Sequence, residues 1–368
     1  MRVAPVAIGV LVLCAALFGC GSSSAPFPGP GSHRYAYAAV DDGSIHVYDI
    51  DHGHREVASF VVGRDVIDMR GACASAATGV LYLAHQRAES GYVIAVDLRS
   101  QRLVWNNAYR PNVDRLACAA GGRKLYVPSN EAFPDDELIV VDAATGSEFG
   151  RIHISPQPHD CVANLSGGHV YVETKSSDTI DIVDTTTDAV TSAIGPFSGI
   201  GGPFTIDGRE SRLYGNFFGV NGFQVADISS GRVVATATIS GQTPVDGQLD
   251  QHGIALNPSE TEVWVNDGVG GQAIVHVFDI TVAPPVPKRE VAIGFAGPHW
   301  ITFSIAGDFA YVSGPKSGGR NAEVIDAKTY ERVASIGPSE DIVEVDWVDG
   351  AIARVGDQFG VGRVETAP

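Results

Sequence analysis

Basic residues are scarce: 25 Lys and Arg stand against 43 Asp and Glu, a net charge of −18 over 368 residues. A surface of that sign repels polyanions, which sets aside nucleic acid and anionic lipid head groups as partners. Cysteine is almost absent, with 5 in the chain. Beyond the apolar N-terminal stretch only Cys73, Cys118 and Cys161 remain, and an odd count argues against a disulfide framework. Each sits in a small-residue apolar run, as in Gly71-Ala72-Cys73-Ala74 and Leu116-Ala117-Cys118-Ala119, which favours small buried hydrophobes. A single disulfide with one thiol left over is the other reading. Also missing are the nucleophile elbow, the phosphate-cradling glycine loop, the CxxCH attachment motif and HExxH. Those absences remove the common enzyme signatures and weigh against an enzyme.

What is present is repetition. Seven apolar runs end in aspartate: Asp49, Asp97, Asp142, Asp184, Asp227, Asp279 and Asp326. They lie roughly 42 to 52 residues apart, within or near the period of a four-stranded propeller blade. A second anchor precedes each aspartate, an aromatic flanked by apolar or small residues: Tyr37, Tyr82, Tyr126, Tyr171, Tyr214, Trp264 and Tyr311. Period-two alternation broken by Gly and Asp is the pattern of half-buried antiparallel strands. The aspartates are expected to accept backbone N–H groups in the turns that follow, a structural duty.

The expected architecture is all-β: a seven-bladed β-propeller of four-stranded antiparallel blades. The first unit starts at its second strand, and Asp341 to Gly350 reads as an inner strand without a remainder. Pairing of the N- and C-terminal strands would close the ring and remove two exposed edges. Ala351 to Val355 could add a strand without an obvious place, and eight blades is the alternative.

The wording of these units, an inner strand and turn followed by Tyr-Val and then Val-x-Asp, resembles the YVTN-type seven-bladed propellers over essentially residues 33 to 350. Lactonase-type and cytochrome-type propellers share parts of the pattern. The resemblance implies a fold more than an activity.

The N-terminus reads differently. Arg2 and an apolar stretch from Val3 to Phe18 form a signal-like region, and Leu17-Phe18-Gly19-Cys20 resembles a bacterial lipobox. That resemblance implies a signal peptide over 1–19, acylation of Cys20, a Gly/Ser/Pro tether over 20–32 and a propeller over 33–368. It places the protein outside the cytoplasm, lipid-anchored to a bacterial membrane, and Gly21 points to the outer membrane in a diderm host. A monomer is expected.

Three histidines, His159, His252 and His299, fall where an inner strand begins, in the fourth, sixth and seventh units. Inner-strand starts converge on one face of a propeller, around its channel. Three imidazoles with an open position form a ligand set for zinc, and they suit copper as well. Equivalent starts offer Arg70, Arg115 and Asp341, which could orient a small organic ligand or a peptide, and a structural role for all six is the remaining alternative. His46, His52, His54, His153 and His276 read as surface residues, and the acidic runs at Asp41-Asp42 and Asp135-Asp136-Glu137 as solvated turns. The polar segment 241–250 is expected to wall one side of the mouth. The function expected is a ligand-binding or protein-interaction scaffold with a small organic ligand or an envelope protein as partner. A lactonase-like or metal-dependent hydrolase or oxidoreductase using the hub histidines is the alternative.

Overall fold

The computed structural model describes residues 28–365 except 64, 88–89, 133–134, 241–251, 267–272, 296, 315–320 and 340. The leader, Cys20 and the segment 241–250 therefore lie outside the described residues. Seven antiparallel sheets follow one another in chain order, six of four strands and one of five. Blade 4 shows the plan, with strands Pro158–Ala163, His169–Thr174, Ile180–Asp184 and Ala189–Ile194 running from hub to rim. Its inner three strands are almost wholly buried and its outer strand almost wholly exposed. The core accordingly sits between blades. Tyr37, Val345 and Trp347 of blade 1 pack with Leu81 and Ile94 of blade 2, and Tyr126 and Leu138 of blade 3 with Cys161 and Val170 of blade 4.

Both sequence anchors now have causes. The aromatic of the second strand is buried between blades, and in blades 3 and 4 its hydroxyl reaches the next blade's turn: Tyr126 donates to Asp188 Oδ1 at 2.5 Å and Tyr171 to Glu210 Oε1 at 2.9 Å. All seven aspartates accept backbone N–H bonds two or three residues on, at Asp49, Asp97, Asp142, Asp184, Asp227, Asp279 and Asp326.

The ring closes as expected. Ser32–Ala39 pairs antiparallel with Asp341–Val348, from Ser32 opposite Val348 to Ala39 opposite Asp341. Gly31 N donates to Asp349 Oδ1 at 3.0 Å, so the closing ladder starts within the stretch read as tether. Ala351–Val355 makes no eighth blade. It pairs with Asp341–Val348 as a fifth strand on the hub side of blade 1. The chain then enters the hub itself. Ala72 N donates to Gln358 Oε1, Trp300 Nε1 and Thr302 Oγ1 to Gln358 O, Thr205 Oγ1 and Leu256 N to Gly360 O, and Gly362 N to Ile206 O. Segment 356–364 thus plugs the channel, bound to the inner strands of blades 2, 5, 6 and 7.

Two expectations need correcting. Cys73 and Cys118 form a disulfide, S–S 2.05 Å with Cα atoms 5.9 Å apart, because equivalent positions of neighbouring inner strands meet at the crowded hub. Cys161 is the leftover buried thiol, with Sγ directed at Tyr126 O at 3.4 Å. His54 and His276 are not surface residues: they are 5% and 7% exposed. His54 is tucked against blade 7, 3.1 Å from the Tyr311 hydroxyl, and His276 lies in the third strand Ile274–Asp279, covered by the outer strand.

Candidate functional site

Each inner strand begins at the same end of the hub, so its first residues arrive there from every blade. We call this end the mouth. Arg70 comes from blade 2, Asp114 and Arg115 from blade 3, His159 and Asp160 from blade 4, His252 from blade 6, His299 from blade 7 and Asp341 from blade 1. All six residues singled out in the sequence are brought together.

Arg70 grips Asp114 with two bonds, 3.1 and 3.0 Å, and reaches Glu131 at 3.4 Å. Such a fork is the strongest neutralisation available to a buried carboxylate. Arg115 donates to the Arg70 carbonyl, lies 3.4 Å from Asp160 and 3.5 Å from Asp341, and stacks its guanidinium 4.5 Å over Trp300. Asp341 in turn accepts from Gln358 Nε2 at 2.8 Å. The C-terminal plug is therefore the floor of the mouth.

The three imidazoles form a chain. His159 meets His252 edge-on at 6.4 Å between ring centroids, and His252 stacks on His299 at 4.5 Å. His159 is the buried member, with Nδ1 3.0 Å from Glu173 Oε2 and 3.5 Å from Asp160 Oδ2. Among the described residues, the sets at metal-ligand spacing are His159 with Asp160 and Glu173, and His159 with Asp114 and Glu131. Of the three histidines, only His159 joins them. Lys175 completes the cluster, 3.4 Å from Glu131 and 4.6 Å over the Phe218 ring.

Five carboxylates (Asp114, Glu131, Asp160, Glu173, Asp341) face three permanent cations (Arg70, Arg115, Lys175) here. Burial pushes the Glu173 carboxyl up to about 8 and that of Asp160 up to about 6, while burial holds His159 well below the usual imidazole range. Both Asp160 oxygens lack a hydrogen-bond donor. Further round the mouth, Ser129 Oγ, Thr174 Oγ1, Asn216, Asn266 Oδ1 and Ser313 Oγ are buried polar atoms without a partner, each at the mouth end of its blade's second strand. A separate hub cavity of about 180 Å³ is lined by the disulfide, Val162, Phe359 and Val361 together with Asn164, Asp357, Gln358 and Arg363.

Sequence reasoning missed Glu173, Asp160, Glu131, Lys175 and Gln358. A signal for Glu173 did exist. Two residues after the anchor aromatic the other units carry Ala39, Ala84, Pro128, Asn216, Asn266 and Ser313, and only the fourth carries an acid.

No protein-family model matches the chain, and no curated protein matches it. Solved structures do. Hydrazine synthase from Kuenenia stuttgartiensis matches with a TM-score of 0.59 at 18% identity, over 78% of this chain and 95% of that one. The dihydro-heme d1 dehydrogenase NirN, in complex with DHE, matches with a TM-score of 0.61 at 16% identity, over 91% of this chain and 75% of that one. Likeness at such identity is one of fold alone.

Proposed function

We propose that the protein is an envelope-anchored propeller of the YVTN kind that binds a small organic ligand at the mouth of its hub. One observation carries this reading: ionisable side chains from six blades converge on a mouth whose floor is the chain's own C-terminal segment, those of blades 1, 3 and 4 buried and Arg70, His252 and His299 half-buried. Buried charge destabilises a fold unless it is paired and hydrogen-bonded. A ring of repeats needs none at its hub. With the channel plugged from below, a ligand would approach from one side only and meet the stacked His252 and His299, Lys175 and Phe218. The unpartnered polar atoms around the mouth supply further donors and acceptors. Net acidity favours a ligand with a cationic or hydrogen-bond-donating group.

Anchoring would come from the lipobox-like Leu17-Phe18-Gly19-Cys20, since no described helix is long and apolar enough to cross a membrane. Cys20→Ser should release the protein from membranes washed with carbonate. For the mouth, native mass spectrometry of protein incubated with envelope small-molecule extract should show a bound mass that the His252→Ala/His299→Ala protein lacks. Equal retention by both proteins would remove the mouth from the binding site.

A hydrolytic or redox activity is the second reading, favoured by the buried His159–Glu173 contact and the displaced pKa values around it.

A further inference from the structure

We propose that His159, Asp160 and Glu173 form a site for one divalent first-row metal ion in the floor of the mouth. The inference deepens the reading of the mouth as the binding site, replacing the three-histidine ligand set with one imidazole and two carboxylates.

Spacing comes first. His159 Nδ1 lies 3.0 Å from Glu173 Oε2 and 3.5 Å from Asp160 Oδ2. Ligands about 2.1 Å from a common ion stand about 3.0 Å apart at right angles and about 3.4 Å apart at tetrahedral angles. The two separations from His159 fall near those values, and all three ligand atoms lie within 4.8 Å of one another.

Satisfaction decides between the two sets. In the set of His159 with Asp114 and Glu131, Arg70 already donates to both Asp114 oxygens and Lys175 attends Glu131. In the set of His159 with Asp160 and Glu173, Asp160 is fully buried and neither oxygen accepts a hydrogen bond, the Arg115 guanidinium standing 3.4 Å from Oδ1. A buried carboxylate left without a donor is costly. An ion there would satisfy it. Glu173 is fixed from behind by Gly202 N at 2.8 Å on Oε1 and by Asp160 N at 3.2 Å on Oε2, so its orientation does not depend on the ion.

Charge agrees. Carboxylates outnumber cations in the mouth, which favours a positive ion there over a negative one. One imidazole with two carboxylates suits borderline and hard divalent ions over soft ones.

The test uses zinc with the full propeller, carrying no affinity tag and stripped by chelator. Isothermal titration should give one zinc per chain, and zinc should raise the melting temperature. Asp160→Asn and Glu173→Gln should each weaken zinc binding at least tenfold, while His252→Ala and His299→Ala stay within about threefold of wild type. Absence of saturable binding to folded wild type overturns the proposal, as do carboxamide variants that bind like wild type. Loss on the His252 or His299 variants with retention by the carboxamides assigns the ion to the histidines and also overturns it. If a carboxamide variant does not fold, the zinc-dependent melting shift of wild type, and its absence in His159→Asn, decides. No organic ligand enters this experiment, so a negative result leaves the ligand-capture test standing, and the converse holds.

Discussion

The molecule carries two populations of acidic side chains that behave in opposite ways. The seven turn aspartates accept backbone N–H bonds two or three residues along their own chain, and all but the buried Asp49 are half-exposed to solvent. Backbone bonds from Thr187 and from Thr329 hold Asp184 and Asp326 below the usual carboxylate range. The mouth carboxylates Asp160 and Glu173 are buried, face other blades, and are pushed upward by that burial. The first population recurs once per blade. The second breaks the repeat. Recurrence therefore marks what each blade needs in order to fold, and departure from it marks what the ring does as a whole.

The largest effect should come from removing what closes the ring. Deleting 339–368 takes away the inner strand of blade 1, its hub-side neighbour and the plug, exposing one backbone edge of Ser32–Ala39 along its length. Ile342, Val343, Val345 and Trp347 are all buried, and at about 1.5–3 kcal/mol per large side chain two of them approach a domain's whole stability. The truncated chain should aggregate on size exclusion; a folded monomer with unchanged melting temperature would contradict the closure.

Next comes Arg115→Ala, which strips the nearby cation from Asp160 and Asp341 and uncovers Trp300. Breaking a buried charge pair from one side costs about 3–5 kcal/mol, so the urea midpoint should fall markedly. A midpoint within error of wild type would mean that the mouth charges are solvated.

A smaller, pH-dependent effect belongs to His54. Burial lowers its pKa to about 4 from an ordinary 6.5. Between those values the unfolded state binds the extra proton, so this contribution to stability is full above about pH 6.5 and is lost as pH falls toward about 4. His54→Gln should flatten the melting temperature between pH 7 and pH 4.5 relative to wild type. An equally steep dependence in the variant would place the titration elsewhere.

The smallest effect is expected in the turns. Asp142→Ala removes two exposed acceptor bonds, to Ala144 N and Thr145 N, and should cost about 1 kcal/mol or less. A large loss would blur the contrast between turn and mouth acids.

The same contrast explains what the sequence made legible. Tyr and Asp anchors recur because every blade poses the same packing problem, so ring, blade count and closure could be read from spacing. The mouth histidines could be read because they fall at equivalent points of three units. Glu173 directly follows the apolar run Val170-Tyr171-Val172 within one strand, where periodicity signals only the strand. Residues 356–364 follow no alternation, because they bond to several inner strands by one or two contacts each. The Cys73–Cys118 bond depends on how closely adjacent inner strands approach, a distance set by the ring and not by either strand.

The central claim is that the mouth acids serve binding at the expense of folding. Asp160→Asn tests it directly, through the melting temperature of metal-free protein at pH 8 and pH 4. Because folding raises the Asp160 pKa to about 6, the native state binds the extra proton. Its ionisation therefore destabilises the fold progressively as pH rises through that range. The account predicts a variant that melts higher than wild type at pH 8, with the difference vanishing toward pH 4. A variant that melts several degrees lower at pH 8 would make Asp160 a structural carboxylate and contradict the account.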